Sequence, residues 1–290
     1  MKNGNVNMGD LLSVSMSTGV FGRFSTFIQE ACGIKMPQVK QTMLESRLRK
    51  RLRALNMNSF EDYMNYVFSA EGMKDEVFQM IDAVTTNKTD FFREPAHFQY
   101  LQREALPELM GLYGAGQKRP LNVWSAGCSS GKEPYSLAMV ISEFAPKHPG
   151  YRFSILGTDI STRVLERARR GIYPEDRAEP IPMEMKRKYL MRNRDRRLGL
   201  VRVVPELRSR VSFRRLNLMD DNYLMRVAFD IIFFRNVIIY FNKRTQGELL
   251  VRICSHLVDG GYLFLGHAET LHSFDLPVRQ VSPMVYRKTG

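Results

Sequence analysis

Apolar positions near the start of the chain recur with helical spacing. Phe21, Phe24, Phe27 and Ile28 share one face, and Gly33 follows where a left-handed cap ends a helix. Leu44, Leu48, Leu52 and Leu55 form one stripe of a second helix, predicted from about Val39 to Leu55. Ser59 then caps a third helix with Phe60, Tyr63, Met64 and Val67 inward, and Asp62 takes the capping-box position. Val77, Ile81 and Val84 mark a fourth. The pattern predicts a small helical domain over residues 21–85. Ahead of it, residues 1–20 read as a flexible extension, ordered only near Leu11 and Leu12.

A linker with one helix, from Pro95 to about Met110, spans residues 86–120, and Gly111–Pro120 reads as a loop. Beyond it the period changes. Leu121–Ala126, Phe153–Thr158, Val211–Phe213, Phe229–Phe234 and Tyr262–Gly266 are short apolar runs of strand length. Helical patterns lie between several of them: one carries Leu137, Val140, Ile141 and Phe144, and another carries Val164, Leu165 and Ala168 before Gly171. A third carries Leu249, Leu250, Ile253 and Leu257, with Thr245 and Glu248 as its capping box. Alternating strands and helices predict an α/β domain over 121–290, a doubly wound sheet. The run Val281–Tyr286 has no helix before it and is predicted to pair antiparallel at the sheet edge.

Composition adds little, but charge adds more. Of 290 residues, 44% are hydrophobic and 25% charged, the balance of a globular protein. No apolar run approaches the ~20 residues that span a bilayer. Cys32, Cys128 and Cys254 fit neither a disulfide framework nor a zinc site, so a reducing cytoplasm and no metal are expected. The net charge of +13 is uneven. Lys35–Arg53 holds seven basic residues against one acid, Arg163–Arg215 seventeen against seven, and Glu61–Glu94 three against eight. Basic clusters suit nucleic acid, anionic lipid or an acidic protein face, and equally a solvated surface with no partner. Arg47, Lys50 and Arg51 lie together beside the leucine stripe and are expected to be surface charges.

The most distinctive local feature is Val123-Trp124-Ser125-Ala126-Gly127-Cys128-Ser129-Ser130-Gly131-Lys132-Glu133-Pro134. A strand ends, small residues turn the chain, and a helix starts near Pro134. Small residues admit a ligand to the backbone and to exposed helix N–H groups. A tight turn without a ligand has the same signature. Asp159, ending the next strand, stands where nucleotide-binding sheets hold ribose hydroxyls, or simply opens a helix before Ser161. Asn217 and Asn236 follow two further strands, so four strands deliver polar groups to one sheet edge. The dinucleotide pattern G-x-G-x-x-G is absent, and a phosphate-binding G-x-x-x-x-G-K-[ST] is broken at Glu133.

Together, Thr86-Asn87-Lys88-Thr89-Asp90-Phe91-Phe92-Arg93-Glu94, the Ala126–Ser136 turn, Thr158-Asp159-Ile160-Ser161, Arg235-Asn236-Val237-Ile238-Ile239-Tyr240-Phe241 and Gly266-His267-Ala268-Glu269 resemble the chemotaxis receptor methyltransferases, the CheR family. The resemblance runs from about Phe21 to the C-terminus. It implies a class I methyltransferase domain behind an all-helical domain, with a small β-insertion about residues 190–210. It implies S-adenosylmethionine as cofactor and S-adenosylhomocysteine as product. Motif by motif, it implies cofactor contacts from Asn87, Thr89, Arg93, Glu133, Asp159, Asn217, Leu218, Asn236 and Val237. One departure stands at Lys132, where the family often has the first of two acids.

The activity so implied is transfer of a methyl group to glutamate side chains on the cytoplasmic helices of chemoreceptors. A glutamate of pKa ~4.3 is already ionised at neutral pH, so no general base is needed. Alignment and exclusion of water remain as the work. Arg93 and Tyr240 are the candidates to orient the reactants, although Tyr240 also reads as a core aromatic with a surface hydroxyl. Arg47, Lys50 and Arg51 then become candidates for docking an acidic receptor helix. The reading expects a cytoplasmic monomer recruited to receptor clusters, with no nucleic-acid partner and no membrane insertion. The alternative enzyme is a nucleic-acid methyltransferase. Asn236 is followed by Val237-Ile238 and not by the Pro-Pro-aromatic that base amino-group methylation uses. A non-catalytic cofactor sensor would need a lost site.

Overall fold

The computed structural model describes residues 14–290, so the order expected near Leu11 and Leu12 lies outside the described residues. The chain forms two units. One runs to Thr86 and takes in Tyr240–Asn242; the other is Asn87–Ile239 with Lys243–Gly290.

The first unit is helical: α1 (Thr18–Cys32), α2 (Gln41–Leu55), α3 (Phe60–Val67) and α4 (Glu76–Val84). Ser17 caps α1 and Gly33 ends it at φ 71°. The helix starts three residues before Phe21, and Met16 and Val20 are buried, so order begins inside the stretch read as extension. Apolar side chains upstream of Phe21 are what hold it. Leu44, Leu48 and Leu52 are fully buried, as their spacing requires. Ser59 accepts from the Asp62 N–H at 3.0 Å, while its hydroxyl donates to the Asp62 carboxylate.

The charges beside the leucine stripe depart from expectation. Arg51 makes a bidentate pair with buried Glu76, at 2.8 and 2.7 Å, and Tyr63 donates to the same carboxylate. Arg47 donates to the Val84 carbonyl and to Thr86 Oγ1. Both arginines tie α2 to the end of the bundle, and only Lys50 of the three is fully exposed. Half-buried arginine is stable here because it snorkels along apolar surface toward fixed acceptors.

The second unit opens with α5 (Pro95–Tyr100), a π turn (Leu101–Ala105) and α6 (Leu106–Tyr113). Of the expected linker 86–120, residues from Asn87 on belong to the sheet unit itself. Phe98, Leu101, Leu106 and Leu109 are part of its core. The helix also extends three residues into the predicted loop, ending at left-handed Gly114. Along the chain follow β1 (Leu121–Ala126), α7 (Lys132–Phe144), β2 (Phe153–Asp159), α8 (Thr162–Arg170), β3 (Ile172–Pro174), α9 (Met183–Tyr189), β4 (Leu190–Arg192), β5 (Leu200–Val203), α10 (Pro205–Arg208), β6 (Val211–Arg215), β7 (Phe229–Phe234), α11 (Lys243–Ser255), β8 (Leu257–Leu265), β9 (Val278–Ser282) and β10 (Val285–Lys288).

Seven strands form one sheet in the order β6-β2-β1-β7-β8-β10-β9. The first five are parallel, and β10 runs antiparallel to β8 and to β9. This is the predicted doubly wound sheet. Its central strand β7 is buried at every position, because helices cover both faces. Ile231 and Phe233 face one core layer, Ile232 and Phe234 the other.

Three boundaries differ from the sequence reading. The edge run is a hairpin turning at Pro283-Met284, with Met284 at φ 55°, and not one strand. Leu257 opens β8 instead of ending α11. That helix begins at Lys243, so Thr245 lies in its first turn and is not its cap. A three-stranded sheet, β3-β5-β4, forms the insertion, which starts at Ile172 and not near residue 190.

Candidate functional site

The carboxyl ends of β1, β2, β6 and β7 meet where the strand order reverses, which is where open α/β sheets hold ligands. At the end of β1, Gly127 and Gly131 take φ of 78° and 84°. A Cβ on Gly127 would sit 2.5 Å from Val237 Cγ2, so only glycine lets the loop after β7 close on this turn. Cys128 is buried beneath it, and burial pushes its thiol well above its ordinary value, which leaves it inert as a nucleophile.

Asp159 is the anchor of the crevice. One carboxylate oxygen accepts the Ser129 N–H at 2.8 Å, the other the Ser161 N–H at 2.9 Å. The aspartate thus fixes the glycine turn and the start of α8 together, and its backbone oxygen accepts the Leu216 N–H, placing Asn217 and Leu218 next in line. Asn217 accepts the Met219 N–H in a tight turn, and Leu218 packs on the core below.

Residues 87–94 strap across the same turn. Ser129 Oγ donates to the Asn87 carbonyl at 2.8 Å, and the Lys132 ammonium to the Thr89 carbonyl at 2.9 Å. Lys132, the departure from the family pattern, is thus a buried tie between α7 and the strap, with Asp90 3.5 Å away. The strap bends through two left-handed residues, Phe92 and Glu94, a strained path for non-glycine residues. It is pinned by Phe91 against Tyr173 and by the Phe92 N–H on Ser136 Oγ.

Glu133 is held from two sides. Ser125 Oγ donates to it at 2.7 Å and Arg235 Nε at 2.8 Å. Arg235 is the residue the sequence reading passed over. Its side chain is 2% exposed, lies over the Phe98 and Phe233 rings, and donates also to the Arg93 carbonyl at 2.7 Å and to His97 Nδ1 at 3.1 Å. Glu94 approaches it at 3.4 Å. Burial and the arginine beside it lower the His97 pKa to about 4, so the imidazole is neutral and Nδ1 accepts. The visible signal was a charge placed directly after a strand that is apolar but for Asp230. Glu269, quoted in a motif but given no role, accepts four backbone N–H groups of the loop after β7 and of Gly266.

Most of the expected cofactor residues are thereby linked: Asn87, Thr89, Asp159 and Val237 through the glycine turn and the lysine that follows it, and Glu133 and Arg93 through Arg235. The Arg93 guanidinium makes one long bond, 3.4 Å, to the Lys88 carbonyl. Tyr240 groups with the helical unit, where its carbonyl accepts the Lys35 N–H. Among the described residues no cluster of His, Cys, Asp and Glu is placed to hold a metal, and no helix is long and apolar enough to cross a membrane.

Comparison with known proteins identifies the family. The model of the CheR methyltransferase SAM-binding domain matches residues 87–286, and that of the CheR all-alpha domain matches residues 20–85. The first boundary coincides with the start of the sheet unit. A chemotaxis protein methyltransferase of Borreliella burgdorferi is 35% identical over 278 residues, 96% of either chain. That of Escherichia coli K12 is 39% identical over 256 residues, covering 88% of this chain and 86% of its own.

Proposed function

The chain belongs to the CheR methyltransferase family, and from that premise we propose that it methylates glutamate side chains of chemotaxis receptors, forming methyl esters that serve sensory adaptation. It is an S-adenosylmethionine-dependent methyltransferase. The observation that carries the assignment to these residues is the clamp of Asp159 on the glycine turn, with Asn217 and Asn236 at neighbouring strand ends. A buried carboxylate and two amides form the donor and acceptor set a nucleoside requires.

S-adenosylmethionine supplies a methyl group already activated on a cationic sulfur. The chain's part is to bind, orient and keep water away. Asp159 would hold the cofactor's hydroxyl groups, and Asn217, Leu218, Asn236, Val237, Glu133, Asn87 and Thr89 would hold the rest of it. Arg93, whose guanidinium makes one long bond to the Lys88 carbonyl among the described residues, orients the receptor carboxylate or the cofactor, and Tyr240 is the other residue proposed to orient a reactant. Lys50 on the outer face of α2 meets the acidic receptor helix. Arg47 and Arg51 mainly hold α2 in place. The enzyme works in the cytoplasm at receptor clusters.

Arg93→Ala is expected to lower turnover about a hundredfold, about 2.7 kcal/mol, with the melting temperature unchanged. Arg93→Lys should rescue poorly because the planar fork is lost. Methyl-transfer kinetics decide it, and full activity in both variants removes Arg93 from the site.

A further inference from the structure

The loop after β7 holds an unusual amount of unsatisfied chemistry. The strand ends at Phe234, so the N–H groups of Asn236, Val237 and Ile238 have no ladder partner. Asn236 sits at φ 59°, a left-handed backbone that costs energy in any residue but glycine. Glycines press on the loop from both sides. Gly127 lies beneath Val237, and a Cβ on Gly266 would stand 2.4 Å from Asn236 Nδ2.

A single side chain answers this. Glu269 is 2% exposed. Its Oε2 accepts the Asn236 and Gly266 N–H groups, both at 2.7 Å. Its Oε1 accepts those of Val237 at 2.8 Å and Ile238 at 3.0 Å. Four backbone donors saturate the carboxylate, so it offers little to any ligand. Only an ionised carboxylate presents four acceptor positions in one plane; an amide would turn an N–H₂ toward two of the donors. Burial works against that ionised form and raises the pKa, while the four N–H groups oppose the rise.

We propose that Glu269 is the positioning residue of the cofactor loop: its carboxylate holds residues 236–238 in the strained conformation that presents Asn236 and Val237 to the adenosyl group. This rests on the reading of Asn236 and Val237 as cofactor contacts. Glu269 itself touches no reactant.

The test uses the full chain and S-adenosylhomocysteine as the calorimetric probe. Glu269→Gln should weaken binding roughly ten- to a hundredfold, the scale of lost charge-assisted hydrogen bonds. The KM for S-adenosylmethionine should rise in step. At saturating cofactor, kcat and the KM for receptor should stay within about threefold of the parent. A side chain that only supported folding would lower the active fraction, and so kcat, without moving the cofactor KM. Glu269→Asp keeps the charge on a shorter stem and should lose binding by a similar factor. It also supplies the measurement if the glutamine variant does not fold. Asn236→Ala separates the proposal from the reading beneath it. Weak binding in Asn236→Ala with parental binding in folded Glu269→Gln or Glu269→Asp overturns the positioning role alone. Parental binding in all three overturns both.

Discussion

Each unit of this protein buries an arginine against a glutamate, and the two pairs have opposite uses. In the helical unit Arg51 meets Glu76, with Tyr63 completing the carboxylate. The arginine is 23% exposed, and the cluster joins α2, α3 and α4 within the helical unit. In the sheet unit Arg235 meets Glu133, but it is 2% exposed and also reaches Arg93, Glu94 and His97. It therefore couples α7 and the strap to the end of β7, three segments that each carry a proposed cofactor residue. The lesson is that a buried ion pair is informative through what it connects. A clasp among neighbouring helices supports a fold. A hub whose spokes all lead to one crevice supports a site.

The strongest way to break that distinction is to remove both arginines in turn. Arg235→Ala strands Glu133 and Glu94 without their cation, and loss of one partner of a buried pair costs about 3–5 kcal/mol. Urea denaturation should show that loss. Calorimetry at low temperature, where the variant stays folded, should show weakened binding of S-adenosylhomocysteine. A loss below about 1 kcal/mol would mean the hub is no hub.

Acid separates the units next. All five histidines lie in the sheet unit. His97, with its pKa lowered to about 4 by burial and by Arg235, takes up a proton in the unfolded chain before it does so in the folded one. Its contribution to stability is therefore complete above about pH 6.5 and falls away as pH drops toward 4, by at most about 3 kcal/mol. His97→Gln should flatten the melting temperature across that window. An unchanged slope would place the acid sensitivity elsewhere.

Arg51→Ala is the milder case. Water reaches that pair, so about 1–2 kcal/mol of stability should be lost. Affinity for S-adenosylhomocysteine should not change, and a change would make the two pairs alike after all.

Much of this was readable in the chain, for particular reasons. Leu44, Leu48 and Leu52 announce a helix because burial imposes its period on apolar residues. Gly127, Gly131 and Asp159 stand at adjacent strand ends, and in the fold they meet as that spacing implies, the carboxylate accepting the Ser129 N–H of the turn. What was not readable depends on partners far along the chain. Arg51 and Arg47 looked like surface charges because Glu76, Val84 and Thr86 lie 25 to 39 residues away. Arg235 is 102 residues from Glu133 and Glu269 is about thirty from the loop it holds, so neither role has a local pattern. Leu257 keeps helical spacing with Ile253, which assigns it to α11, although Gly260 just beyond, at φ 76°, marks an irregularity where β8 shifts register against β7. The strap 87–94 read as a linker since its hydrogen bonds go to the turn of another segment.

We propose that the crevice of the sheet unit esterifies receptor glutamates. Radioactive methyl transfer from S-adenosylmethionine to receptor-bearing membranes, with RNA as the competing acceptor, tests it most directly. Label is expected on the receptor alone, released as volatile methanol in alkali, since esters hydrolyse there and N-methyl groups do not. Label on RNA, or label on receptor that survives alkali, would contradict it.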